Sequence, residues 1–186
     1  HDAAGNQNNY IMKDWLLYST NDMKHWTEHP SPLRIEDFAW AKSKQAYAGH
    51  VAKGKDGRYY WYVSTNWCGI GVAVADKITG PYKDALGRPL LTNEPCFASK
   101  HSWACIDPAI LIDDDGTPYI IWGNKECYYA KLKDNMIEID GEVHQINVPC
   151  CTEAPWVHKY QGKYYLTYAS EWPEKIAYAI ADQIIA

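Results

Sequence analysis

The chain of 186 residues contains only two phenylalanines. It has almost no helical periodicity, and its candidate strands are short. No apolar run approaches the ~20 residues that a membrane-spanning helix needs. No signal-peptide pattern opens the chain, which starts as though inside a structural unit. No basic stripe or cluster is present, and the net charge is −5, so nucleic acid is a poor candidate partner. The six cysteines form no C-x-x-C pair and have no histidines at zinc-site spacing. Cys150 and Cys151 are adjacent, an awkward geometry for a disulfide between them. Most of the cysteines read as buried thiols, and the redox compartment stays open.

What the chain does have is Trp and Tyr, 9 and 15 residues. Both combine a flat apolar face with a polar edge, which suits sheet packing and also suits pockets that stack sugars. Much of this aromatic content falls in a repeat. Ala48-Gly49-His50-Val51 leads to a turn at Gly57 and then Arg58-Tyr59-Tyr60-Trp61-Tyr62. Asp107-Pro108-Ala109-Ile110 leads to a turn at Gly116 and then Thr117-Pro118-Tyr119-Ile120-Ile121. Glu153-Ala154-Pro155-Trp156 leads to a turn at Gly162 and then Lys163-Tyr164-Tyr165-Leu166-Thr167. Nine residues before the three turn glycines stand Ala48, Asp107 and Glu153. Equivalent positions of a cyclic repeat converge on one axis. Two acids at that position are what sugar hydrolysis by paired carboxylates requires.

A third strand follows each hairpin, at residues 69–75, 127–132 and 175–180, and then a weaker outer strand. Four antiparallel strands in units of roughly 50 residues are propeller blades. Ile110, Leu111 and Ile112 are apolar in succession, as expected of a strand covered on both faces. A two-sheet sandwich would favour alternation. The expected fold is all-β, a partial β-propeller with two complete blades and parts of two others. Residues 1–44 hold the end of blade 1 and a linker, 45–104 blade 2, 105–150 blade 3, and 151–186 the start of blade 4. Closed propellers use about 4 to 8 blades. An unclosed blade would present an apolar face that favours self-association.

The ordered set Met12-Lys13-Asp14-Trp15, residues 71–76 through Gly80-Pro81-Tyr82, Ile106-Asp107-Pro108-Ala109 with Asp113-Asp114-Asp115-Gly116, and Thr152-Glu153-Ala154-Pro155-Trp156 resembles glycoside hydrolase family 43. The likeness runs over essentially the whole chain and is nearest to the β-xylosidase and α-L-arabinofuranosidase branch acting on plant arabinoxylan. It implies a five-bladed propeller with an active site at the centre of one end, and an inverting mechanism. It also implies three acids: an Asp general base in the first blade, a second Asp that orients and tunes, and a Glu general acid. Asp107 resembles the tuning Asp and Glu153 the acid. Nothing in this chain matches the base, so the chain by itself is expected to be short of full activity. The expected substrate is arabinoxylan or xylo-oligosaccharides. No cofactor is expected beyond a structural calcium known in some relatives, whose ligands are not identifiable here. A polysaccharide substrate favours a periplasmic or secreted location.

Glu153 must hold a proton near neutral pH, and Asp107 is the expected negative neighbour that helps it do so. Three further residues are candidates for binding the sugar. His50 would reach the axis and bind a hydroxyl, or else be a hydrogen-bonded core histidine. Trp40 and Trp103 lie in loops leading into blades and would be stacking platforms, or else packing under those loops. Asp113, Asp114 and Asp115 lack the spacing of a calcium loop and read as a hairpin turn. The competing function is a non-catalytic propeller that binds glycans or proteins.

Overall fold

The structure is a computed structural model that describes residues 11–42, 45–65, 69–94 and 103–184. Among them the regular elements are strands, apart from one 3₁₀ turn at Ile35–Asp37. Strands β1 (Asp14–Ser19) and β2 (Thr27–Arg34) form a two-stranded sheet. Strands β3 (Ala46–Lys53), β4 (Tyr59–Thr65), β5 (Gly69–Ala75) and β6 (Lys83–Asp84) form a four-stranded sheet in that order. A second four-stranded sheet holds β7 (Ala109–Ile112), β8 (Pro118–Trp122), β9 (Cys127–Lys131) and β10 (His144–Ile146). The last sheet has three strands, β11 (Cys151–Tyr160), β12 (Lys163–Ser170) and β13 (Lys175–Ala181). Within each sheet, strands consecutive in sequence pair antiparallel.

The sheets stack in chain order, and side-chain alternation assigns each face to a neighbour. On β4, Tyr60 and Tyr62 join Ile110, Ile120 and Trp122 of the following sheet. Trp61 and Val63, pointing the other way, join Trp15 and Leu33 of the first sheet. On β7 and β8, Leu111 and Ile121 meet Val157 and Leu166 of the last sheet. Both four-stranded sheets are therefore covered on both faces, which is why their strands are apolar without alternation. This arrangement is a row of stacked sheets and not a two-sheet sandwich. The described sheets do not close into a ring. First strands lie beside first strands, with β7 against both β3 and β11. The acid-bearing ends of neighbouring sheets are thereby brought together.

At the far end of the stack, polar clamps hold one sheet to the next. Asp113, in the β7–β8 turn, accepts bonds from Lys159 Nζ at 2.9 Å and the Tyr164 hydroxyl at 2.5 Å, both on the last sheet. Lys55 reaches Asp134 at 2.6 Å between the two four-stranded sheets. The cysteines divide: Cys105 and Cys127 are buried thiols, Cys151 is half-buried and Cys150 is exposed. Cys150 departs from the buried expectation because it sits in the turn before β11, with a φ of 51°. Cys68 and Cys96 lie outside the described residues.

Candidate active site

Asp107 lies two residues before β7, in the left-handed region with φ 57°. Asp tolerates that region better than most residues, and Pro108 after it disfavours a helical alternative. The Asp107 backbone N–H donates to the hydroxyl of Ser64, a buried residue of β4, at 2.8 Å. The preceding sheet thus fixes the position of this acid.

Glu153 lies where β11 is irregular. Its pairing with β12 shifts between Cys151 and Glu153 and again between Glu153 and Trp156, and Ala154 has a φ of 54°. Bulges re-aim side chains and backbone groups at the rims of sheets. Here the result is that Ala154 donates its N–H to Asp107 Oδ2 at 3.1 Å. The repeat position of the β3 sheet behaves alike, since the register of β3 breaks between Ala46 and Gly49, around Ala48.

The β8–β9 turn joins the two acid segments. Gly123 donates its N–H to Ile106 O at 2.9 Å, just before Asp107. Asn124 Nδ2 donates to Glu153 Oε2 at 2.9 Å, and Lys125 N–H donates to Thr152 O at 2.6 Å. Three consecutive residues therefore hold both carboxylates in register.

The surroundings raise the proton affinity of both acids. Burial is the largest influence on Asp107, and the negative charge of Glu153 adds to it. The Ala154 N–H opposes them, Glu174 contributes a little more, and the carboxyl is pushed up to about 6. Glu153 is also raised, first by burial and then by the charge of Glu174, against the Asn124 hydrogen bond. Glu174 is a second negative neighbour of Glu153 beside Asp107. The repulsion between Asp107 and Glu153 is mutual, so each favours the proton on the other. Among the described residues no three His, Cys, Asp or Glu side chains are gathered so as to hold a metal ion.

The three sugar-binding candidates are placed differently. His50 is half-buried on β3 opposite Tyr62, two residues past Ala48, and burial lowers its proton affinity, leaving a neutral ring at pH 7. Trp40 packs under its loop. Its Nε1–H donates to Asp84 Oδ2 on β6 at 2.8 Å, and its ring lies edge-on to Phe38 at 5.5 Å. It also presses so close to Gly71 that a Cβ there would meet it at 2.7 Å. Its indole is committed to the outer half of the β3–β6 sheet and is not an open platform. Trp103 is 48% exposed, four residues before Asp107. His1, Asp2 and His101 lie outside the described residues. The sequence reading missed Ser64, Asn124 and Glu174, because each acts across sheets and no local pattern marks it.

Two carboxyls with raised proton affinity thus meet where the first strands of adjacent stacked sheets come together. The chain belongs to glycoside hydrolase family 43, since the profile described as Glycosyl hydrolases family 43 matches residues 4–181. It is 30% identical over 193 residues to an arabinoxylan arabinofuranohydrolase of Paenibacillus polymyxa, covering 90% of this chain and 30% of that protein. It is 31% identical over 220 residues to a xylosidase/arabinosidase of Humicola insolens, covering 89% and 63%. An α-L-arabinofuranosidase structure from Clostridium thermocellum superposes with a TM-score of 0.82 at 31% identity, covering 98% of this chain and 62% of that one. The chain thus spans less than two thirds of the length of each of these relatives.

Proposed function

We propose that the whole protein is an inverting glycoside hydrolase that removes terminal xylose or arabinofuranose from arabinoxylan-type polysaccharides or oligosaccharides. Glu153 is the general acid that protonates the leaving oxygen. Asp107 orients the site and tunes its proton affinity. A base carboxylate on the opposite face activates the attacking water, and inverting pairs stand about 6.5–9.5 Å apart to admit it. No residue of this chain matches that base, so in this reading it comes from the part of the family domain that the chain does not span. The domain is then a five-bladed propeller, with blades 2 and 3 at residues 45–104 and 105–150, and parts of blades 1 and 4 at 1–44 and 151–186. A structural calcium and a periplasmic or secreted location accompany this reading.

The observation that carries the reading is the hydrogen bond from Ala154 N–H to Asp107 Oδ2. It ties Asp107 to the segment that carries Glu153, and these two acids from matching repeat positions of adjacent sheets both have raised proton affinity. The names of relatives, arabinoxylan arabinofuranohydrolase and xylosidase/arabinosidase, supply the pentose substrate class. The second reading, a non-catalytic glycan- or protein-binding propeller, is favoured only by the unmatched base. An Asp-Pro strand and a Gly-Tyr-Tyr hairpin encoded upstream of His1 would speak for the enzyme.

The test is turnover of paired nitrophenyl pentosides and unactivated xylosides by the full-length protein and its Glu153→Ala variant. Loss of a general acid costs about 10²–10⁴-fold. That loss is expected on unactivated xylosides, with a much smaller one on nitrophenyl substrates, whose leaving groups need little protonation. Equal turnover of variant and parent on unactivated xylosides refutes the assignment.

A further inference from the structure

Trp172 is 84% exposed. It does not belong to a strand but stands in the turn at residues 171–174 between β12 and β13. The exposed Trp156, Tyr160 and Tyr178 lie on strands of the last sheet and belong to its uncovered face, whereas Trp172 lies off the strands. The turn is firmly held. Glu171 N–H donates to Cys150 O at 3.0 Å, and the Thr152 hydroxyl donates to Glu171 O at 3.0 Å. Lys175 pairs with the Glu171 carboxylate. These bonds bracket the start of β11 and place the turn directly beside Glu153, which follows Thr152 and pairs with Ala169. Glu174, from the same turn, lies near enough for its charge to act on both Asp107 and Glu153.

We infer that Trp172 is a stacking platform on the leaving-group side of the site, where its indole takes a pyranose of the polysaccharide chain that carries the pentose to be cleaved. The inference rests on the hydrolase reading above. A flat indole offers the C–H face of a pyranose a large apolar contact while its edge stays in water. The side follows from the acid. Glu153 must face the leaving oxygen, and the turn that presents Trp172 is bonded to the strand that carries Glu153. The held turn fixes the backbone that carries the ring, so little loop ordering is lost on binding.

The test uses the full-length protein with Glu153→Gln, which keeps substrate intact, and calorimetric titration with an arabinoxylan-derived oligosaccharide and with free xylose and arabinose. Adding Trp172→Ala is expected to weaken oligosaccharide binding about tenfold, the upper range for one aromatic contact. Monosaccharide affinity should be unchanged, and Trp172→Phe should restore most of the oligosaccharide affinity. Unchanged oligosaccharide affinity, or an equal loss for monosaccharides, overturns the platform. No oligosaccharide binding by the Glu153→Gln protein also overturns it, while pentoside turnover by the unaltered protein leaves the hydrolase reading standing. Absence of that turnover overturns both.

Discussion

Asp107 shows what the site costs the fold. Its carboxyl titrates near 6 in the folded chain, against an ordinary 3.8. A raised carboxyl favours the folded state while protonated, and that advantage is lost as the pH climbs. Stability should therefore fall between about pH 4 and 6 and stay low above, by roughly 3 kcal/mol for a shift of this size. Asp107→Asn keeps an oxygen for the Ala154 N–H and removes the charge. It should raise the melting temperature at pH 7.5 and change it little at pH 3.5, as differential scanning calorimetry would show. A variant that is less stable at pH 7.5 would mean that the ionised carboxylate is well accommodated. In the proposed reading this is the usual trade of stability for function at an active site.

The element that matters most is the short β8–β9 turn, because it bonds to the segments of both acids. Gly123 makes it possible. Its φ is 140°, and a Cβ there would lie 2.0 Å from Glu126 O, a clash that no side-chain motion relieves. Gly123→Ala should cost more than about 2 kcal/mol, read as a lower urea midpoint with little change in slope. An unchanged midpoint would show that the turn relaxes freely. Much at this scale was legible beforehand. The hairpins closing on Gly57, Gly116 and Gly162 and the third strands β5, β9 and β13 follow from turn chemistry and apolar runs, which are local. The juxtaposition of Asp107 with the Glu153 segment was legible through their shared repeat position. Ser64 and Asn124 were not, because a hydrogen bond between sheets leaves no trace in the local sequence. Trp40 was open to either role until its partner Asp84, on a strand of only two residues, became visible.

For the whole molecule, the outer face of the last sheet is the unfinished part. Ile176 and Tyr178 on β13 are 89% and 68% exposed, and Trp156 and Ile180 stand beside them. The faces between adjacent sheets of the stack are buried. In this 186-residue chain the face should drive self-association. Sedimentation velocity should show the mean mass rising with concentration, and Tyr178→Lys together with Ile180→Lys should suppress the rise. A monomer at all concentrations would contradict this. The apolar character of β13 was plain in sequence. Which of its faces would be left uncovered depends on the stacking order, and only the structure supplies it.

The account depends on two carboxyls sharing one site, and a direct measurement is the titration of the Asp107 side-chain carbon by ¹³C NMR, with and without Glu153→Gln. The predicted midpoint is about 6 in the unaltered chain, moving lower when the Glu153 charge is removed while burial keeps it above the ordinary value. A midpoint at the ordinary 3.8 that ignores Glu153→Gln would contradict it.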